Sequence, residues 1–330
     1  MGLLYAIAIV LATFGIFWFM TTTLFASLFP PPFELRNKRI LLLIGHPDDE
    51  AMFFAPALIA LLSPENRNHI QIVCLSTGNA IGEGEIRRGE LLNSARRLGM
   101  RSKDDVLIID DARFQDGAQN HWKKEDIADL LSHLFTPQPS SKLDTSTSSF
   151  STLNQPPQTQ VNGNPSSGPI NPADKQRTPE VILTFDPHGI STHPNHCACY
   201  YGAIHFLQNQ LKHPKPNSKS PTTPPTLYTL TSISRPRKYI SVLDAPITLL
   251  TSLTSVFFSN LQQSARKARR NVQDGRADRV IFVSGFRNYV KAFGAMVFAH
   301  KTQMLWFRWG WVLVGRYMVV NDLKRERVGV

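Results

Sequence analysis

Apolar runs alternate with amphipathic segments through the middle of the chain. Runs of mostly Val, Ile and Leu, typical of buried strands, lie at residues 39–44, 70–75, 106–109 and 181–185. Residues 227–232, Leu-Tyr-Thr-Leu-Thr-Ser, are expected to add a fifth strand. Helical spacing of apolar positions is found at residues 51–62, 85–98, 124–135 and 196–210. Because such alternation favours parallel strands joined by helices, it predicts a Rossmann-like α/β fold with helices on both faces of the sheet.

The first 33 residues form a different kind of segment. They contain no charged side chain, and the apolar stretch 3–29 is long enough to cross a hydrocarbon core of about 30 Å. A cleaved signal peptide is the alternative, but a positively charged start is missing and the apolar stretch is too long. Arg36, Lys38 and Arg39 follow the stretch directly. We therefore expect a membrane anchor at 1–33, with residues 34–330 on the cytosolic side.

Three polar segments interrupt this pattern. Residues 136–177 are dominated by Ser, Thr, Pro, Gln and Asn, and cannot bury enough apolar area to offset their chain entropy. They are predicted to be a disordered insertion, and residues 213–226 and 262–278 have a similar polar character. Residues 289–320 instead mix aromatic and basic side chains. They are interpreted as a membrane-proximal segment or as an amphipathic helix packed on the sheet, with a re-entrant or membrane-spanning path over 306–320 as a third alternative.

Charge and cysteine content narrow the class of protein. The formal net charge of the 330 residues is +11, which suits nucleic acid or an anionic membrane, and the apolar amino terminus favours the membrane. Three cysteines cannot form a complete disulfide framework, so reduced thiols are expected. No Gly-x-Gly-x-x-Gly motif follows the first strand, which argues against a nicotinamide enzyme.

Candidate metal ligands follow two of the predicted strands. His46, Asp48 and Asp49 come directly after the first strand, and the three-residue spacing of His46 and Asp49 allows both to share one face of a helical turn. An acidic first turn that complements the helix dipole is the alternative explanation. His193 and His196, again three apart, follow the strand at 181–185. Because the carboxyl ends of parallel strands meet at one edge, the two clusters together predict a metal site.

These two motifs resemble those of the zinc-dependent glucosaminyl de-N-acetylases, whose pattern is His-Pro-Asp-Asp-Glu followed by a distant His-x-x-His. The chain looks most similar to the eukaryotic branch, which acts in glycosylphosphatidylinositol (GPI) anchor synthesis. The resemblance continues at residues 51–56, 76–79, 84–91, 184–186, 237–241 and 303–308. It therefore covers most of the chain outside the polar insertions.

The resemblance implies a role for each member of the two motifs. His46, Asp49 and His196 would bind Zn²⁺ or another divalent metal and leave a position for water. Asp48 would be the general base, and His193 would stabilise the oxyanion or act as general acid. Without the resemblance, Asp48 is a carboxylate of a helical turn and His193 a structural hydrogen-bonding residue.

Three further residues are implied with less detail. Arg87 and Asp116 would hold the substrate, although Arg87 also fits a solvated helix face and Asp116 a turn before Gly117. Asp186 would orient a histidine from behind or only cap its turn. Asn195 stands where bacterial relatives commonly carry Asp, which puts carboxylate tuning of His193 in doubt.

The function implied by the resemblance is hydrolysis of the acetamide of a glycolipid, N-acetylglucosaminyl-phosphatidylinositol, at the endoplasmic reticulum membrane. The zinc de-N-acetylase domain would span residues 34–330 and face the cytosol. Deacetylation of another N-acetylglucosaminyl conjugate and a non-catalytic anchored scaffold are the alternatives. No nucleic acid partner is expected, and the composition leaves protein partners open.

Overall fold

The computed structural model describes residues 2–28, 31–117, 119–135, 178–212, 224–251, 254 and 277–329. The predicted insertion at 136–177 lies outside this part of the chain, as do residues 213–223 and 262–276 of the two further polar segments.

Seven strands form one mixed sheet in the order β3-β2-β1-β4-β5-β7-β6. The strands are β1 (Arg39–Ile44), β2 (His69–Cys74), β3 (Val106–Ile108), β4 (Val181–Phe185), β5 (Thr226–Leu230), β6 (Arg279–Val283) and β7 (Val320–Glu326). The first five are parallel, and β7 is antiparallel to both of its neighbours. The five predicted strands are confirmed to within about two residues at each end, as is usual for strand ends.

The antiparallel edge was not predicted, although β6 contains the apolar run Val-Ile-Phe-Val; β7 has no such run. β7 reads Val-Asn-Asp-Leu-Lys-Arg-Glu, and its buried half includes Asn321 and Asp322. Asp322 accepts a hydrogen bond from Arg279 Nε at 2.6 Å, so an ion pair across the β6–β7 ladder replaces apolar packing there.

Eleven α-helical segments can be assigned in the described part of the chain. They are α1 (Gly2–Leu28), α2 (Asp49–Met52), α3 (Ala55–Leu61), α4 (Gly84–Leu98), α5 (Lys124–Phe135), α6 (Gly189–Thr192), α7 (Pro194–Lys212), α8 (Arg235–Lys238), α9 (residues 244–251), α10 (Phe286–Gly294) and α11 (Trp306–Val314). α5 packs against α7, whereas α4 and α10 pack against each other. β1 is buried along nearly its whole length, as expected for a parallel strand that is covered on both faces.

The helix predicted over 51–62 is split into α2 and α3, which corrects that prediction. Pro56 has no N–H to donate to the carbonyl of Met52, and this carbonyl instead accepts the indole N–H of Trp311 at 3.3 Å. Asn321 stabilises the break, because its Nδ2 donates to Phe53 O at 2.7 Å and its Oδ1 accepts from Ala57 N at 3.0 Å. A distant strand therefore caps the start of α3.

The two termini bear on membrane contact. In the described residues, α1 is the one helix long and apolar enough to cross a membrane, judged by length and composition alone. The predicted segment 289–320 is built from short helices, and α11 within it has nine residues, about half of the length that a spanning helix needs. Residues 306–320 therefore form no helix of spanning length, and the re-entrant path stays a prediction.

Candidate metal centre and active site

The turn after β1 adopts a strained backbone conformation. Asp48 has a φ of 130°, a region that residues with a side chain rarely occupy, and its N–H donates to Glu50 Oε2 at 3.2 Å. Such conformations cost roughly 1–3 kcal/mol each and persist where the surroundings enforce them. Gly45, just before this turn, allows the ring of His196 to approach closely, because a Cβ at this position would lie 3.3 Å from that ring.

The structure brings His46, Asp49 and His196 into one buried group, with their candidate ligand atoms within 4.8 Å of one another. His196 Nε2 lies 3.1 Å from Asp49 Oδ1. This separation is close to the roughly 3.3 Å between two ligands of a tetrahedral zinc ion with bonds of about 2.0–2.1 Å. The donor set and its spacing therefore fit a divalent metal.

Contacts with residues other than Asp49 hold both histidine rings in place. His196 stacks on Phe185 with ring centroids 3.9 Å apart, and its Nδ1 lies 3.2 Å from Gly189 O, which leaves Nε2 for a metal. His46 Nε2 lies 3.1 Å from Asp116 Oδ1 and 3.0 Å from the Asn195 amide. These contacts leave Nδ1 of His46 to face Asp49, at 4.0 Å.

Asn195, which stands where a carboxylate was considered for tuning His193, contacts His46 in the structure. Its side chain is fully buried, and its Oδ1 has no hydrogen-bond partner among the described residues. The Asn195 amide lies against the Nε2 edge of His46, away from the Nδ1 that faces Asp49. An amide at this position thus orients a ligand ring without adding charge.

Charges within the group shift several pKa values. Burial acts to raise the pKa of Asp49, but the adjacent His196 and His46 outweigh it and hold that pKa well below its usual range. Burial acts to lower the pKa of His46, yet Asp116 and Asp49 produce a net increase. The hydrogen bond with His46 in turn lowers the pKa of Asp116 to about 2. Asp49 and Asp116 therefore stay ionised near pH 7.

His193 lies at the edge of the same group. Its ring centroid is 5.2 Å from that of His46 and 4.8 Å from that of His196. Burial and the two neighbouring imidazoles lower its pKa to about 4, so the ring is neutral near pH 7. Its Nδ1 accepts the N–H of Asn195 at 3.3 Å, which places the remaining proton on Nε2. His193 is therefore available as a neutral hydrogen-bond donor.

Asp48 is buried beside the donor set without belonging to it. Its carboxylate forms an ion pair with Arg308, and Arg87 Nη2 lies 4.0 Å away. A second carboxylate that binds no metal is the group a hydrolytic site needs for proton transfer.

Arg87 is buried and does not form a solvated helix face. It donates to Gly78 O at 2.9 Å and to Pro47 O at 2.8 Å, and its Nη1 lies 3.5 Å from Asp116. The guanidinium thus connects the strained turn to Asp116, on the pocket that also contains Ser76 and Asn79.

Asp186 has other partners in the structure. It accepts hydrogen bonds from Ser232 N at 2.7 Å, Ser232 Oγ at 2.6 Å and His188 N at 3.0 Å. Ser232 Oγ also accepts from Ile190 N at 2.8 Å. The carboxylate thereby fixes the loop before α7 to the residues that follow β5.

Two residues of the site had no assigned role in the sequence. Arg308 lay within the matching segment 303–308, so its position was indicated but its partner Asp48 was not. His300 gave no signal at all, yet its Nε2 lies 2.6 Å from Glu50 Oε1 and both side chains are fully buried. The carboxyl-terminal segment therefore packs against the residues that follow β1.

A buried set of two imidazoles and one carboxylate is typical of catalytic metal centres that leave a position open for water. Asp48 adds a carboxylate outside the set, and His193 adds a neutral donor. On an α/β sheet whose first five strands are parallel, this combination fits the class of hydrolases that use a divalent metal.

Comparison with known proteins identifies the family within that class. Residues 41–207 match the family model described as PIG-L, GlcNAc-PI de-N-acetylase. N-acetylglucosaminyl-phosphatidylinositol de-N-acetylase from Arthroderma benhamiae is 40% identical, over 95% of each chain. The protein of the same name from Bos taurus is 30% identical, over 87% of this chain and 83% of its own. The chain belongs to the PIG-L family.

Solved structures are more distant. N,N'-diacetylchitobiose deacetylase from Pyrococcus horikoshii is 16% identical, with a TM-score of 0.38, and the similarity covers 59% of this chain and 61% of that one. This similarity is too low for a comparison of the two sites.

Proposed function

We propose that this protein hydrolyses the acetamide of N-acetylglucosaminyl-phosphatidylinositol to glucosaminyl-phosphatidylinositol and acetate, in GPI-anchor biosynthesis. The observation that carries the proposal is the buried His46–Asp49–His196 group with Asp48 beside it, in a chain related along nearly its whole length to enzymes of that name.

The proposed chemistry assigns one task to each side chain. His46, Asp49 and His196 would hold Zn²⁺, which supplies a Lewis acid and lowers the pKa of water toward about 7. Asp48 accepts the proton of the attacking water, and its ion pair with Arg308 holds the carboxylate in place. His193 donates its Nε2 proton toward the acetyl oxygen or the departing amine.

Substrate contacts fall to Arg87 and Asp116. Asp116 lies on the polar pocket at the carboxyl edge of the sheet, where it faces both His46 and Arg87. A carboxylate and a guanidinium side by side suit the hydroxyl groups of a sugar. We assign Asp186 to support the loop that carries His193.

We also propose a location and a domain organisation. Residues 1–33 anchor the protein as a single span in the endoplasmic reticulum membrane, and residues 34–330 form the catalytic domain on the cytosolic side. Residues 136–177 are assigned as an insertion in this domain and residues 289–320 as its membrane-proximal segment. The apolar helix α1 and the basic residues that follow it support this arrangement.

Mass analysis of lipid products tests the function directly. Purified wild-type protein should convert the glycolipid with loss of one acetyl group, and a chelator should abolish the conversion until metal is restored. His196→Ala should lose bound metal and activity together, because two protein ligands hold a catalytic metal poorly. His205→Ala, a histidine substitution on the same helix outside the group, should retain both.

Two results would contradict the proposal. Full activity after verified removal of all divalent metal would rule out the metal mechanism. Deacetylation of a different N-acetylglucosaminyl conjugate, with no reaction on the glycolipid, would replace the substrate but keep the chemistry.

A further inference from the structure

The exposed side of α11 and of the residue before it is entirely apolar. Trp306 is 86% exposed, and the other large exposed side chains of this stretch are Leu305, Phe307, Trp309, Leu313 and Val314. Arg308, the one charged residue of the helix, instead points inward to Asp48. A helix in contact with water normally shows the opposite arrangement, with its polar side outward. An apolar face of this kind marks a surface that contacts something other than water.

Helix α10 links α11 to α1. The ring centroid of Trp18, on α1, lies 5.8 Å from that of Phe286 and 4.9 Å from that of Tyr289, both on α10. The hydroxyl of Tyr289 donates to Val312 O at 3.0 Å, which joins α10 to α11. The candidate membrane span and the apolar face of α11 therefore lie on the same side of the protein.

A second apolar stretch extends the face. Tyr239 lies 5.9 Å from Trp311 between ring centroids, and Leu243, Ile247 and Leu250 are exposed in the residues that follow it. Residues 241–243 also contact α1. Exposed aliphatic and aromatic residues thus lie on two sides of the span.

Basic side chains accompany this surface. Arg287 and Lys291 are exposed on α10, and Lys301 is exposed in the turn before α11. Aromatic residues flanked by Lys and Arg are typical of segments that lie in the headgroup layer of an anionic membrane. This chemistry favours a lipid surface over a protein partner.

We propose that the apolar face formed by residues 305–314, together with the exposed side chains of residues 239–250 and α10, lies in the headgroup layer of the bilayer as a second membrane contact beside α1. Arg308 and Trp311 connect this face to the turn that bears Asp48. The bilayer contact thereby presents the site to a glycolipid that stays in the membrane. The inference rests on the proposed function, since it concerns how a lipid substrate reaches the site.

A substrate comparison tests the inference in the full-length chain. The double variant Trp306→Glu/Leu313→Glu places two charges on the face without disturbing a packed side chain, because both residues are exposed. One substrate is the glycolipid in phosphatidylcholine–phosphatidylserine vesicles, and the other is a soluble analogue with the same headgroup and no acyl chains. Tyr201→Glu, at an exposed aromatic residue on α7, is the matched control.

The double variant should lose about tenfold or more in kcat/KM on vesicles, because charges oppose insertion of the face. Its kcat/KM on the soluble analogue should stay within about twofold of wild type, since the site is intact. If the double variant keeps wild-type kcat/KM on both substrates, the inference is overturned and the proposed function still stands. Parallel loss on both would also overturn it, because the face would then support the fold. A wild-type protein that deacetylates neither substrate would remove the proposed function itself.

A second measurement does not depend on activity. In vesicles of brominated lipid, wild-type tryptophan fluorescence should be quenched more strongly than that of Trp306→Tyr, because the most exposed tryptophan of the face would contact lipid. Trp122→Tyr removes a buried tryptophan near the site and should leave the lipid-quenched part unchanged. If Trp306→Tyr does not reduce the quenching, the face does not touch the bilayer.

Discussion

Replacement of Asp48 by Asn separates proton transfer from metal binding. Asn preserves the shape of the side chain, and it tolerates a positive φ nearly as well as Asp, so the strained turn should persist. The donor set does not include Asp48, so metal content should remain that of wild type. Turnover should fall by about two to four orders of magnitude, the usual contribution of a general base.

The same substitution should also have a modest effect on stability. The carboxylate pairs with Arg308, so its neutralisation leaves Arg308 without its counter-charge, whereas Arg87 keeps Asp116 at 3.5 Å. A hydrogen bond to a charged group contributes about 1.5–3 kcal/mol. Because the Arg308 side chain is 21% exposed, water offsets part of the loss, and we expect about 1–2 kcal/mol.

Asp322→Asn is the matched control. It removes another buried carboxylate paired with an arginine, which lies on the β6–β7 ladder and outside the candidate site. It should lower stability comparably and leave single-turnover rates near wild type. Single-turnover kinetics, metal analysis and thermal unfolding in detergent together decide the matter. Near-normal turnover of the Asp48 variant would refute its assignment as the base, and loss of metal with turnover would refute the separation of roles.

Three further predictions concern metal affinity, stability and orientation. Asp116 raises the pKa of His46 in the metal-free protein, so Asp116→Asn should weaken the competition of protons with metal for His46. Metal release on acidification, followed by chelator titration, should then move to lower pH. An unchanged or higher release pH would contradict this. Asn321→Ala should lower the free energy of unfolding by about 2–5 kcal/mol, because it leaves two buried main-chain groups at the start of α3 unpaired. Thermal unfolding measures this, and a loss below about 1 kcal/mol would show that the cap is dispensable. In sealed microsomes, the body from Arg36 onward should be cut by added protease while the anchor resists carbonate extraction, and protection until detergent is added would reverse the orientation.

Local sequence determined most of the parallel half of the sheet. β1, β2 and β4 each carry an apolar run that reads as a buried strand, and the polar motifs follow β1 and β4 directly. Because parallel strands deliver their carboxyl ends to one edge, those two motifs were expected to meet, and the structure brings His46, Asp49 and His196 together. An apolar run and the polar motif that follows it are neighbours in the chain, so the sequence alone predicts both the strand and the residues at its end.

Tertiary structure decided the partners of the polar side chains. Arg308 meets Asp48 across 260 residues, His300 meets Glu50 across 250, and Asn321 caps α3 from a strand without an apolar run. Each contact depends on how the carboxyl-terminal segment folds back over the sheet. No periodicity records such a pairing, because a buried polar group requires only a complementary partner and any distant segment can supply it. The exposed apolar face of α11 depends on the same packing, since the inward turn of Arg308 decides which residues of the helix face outward.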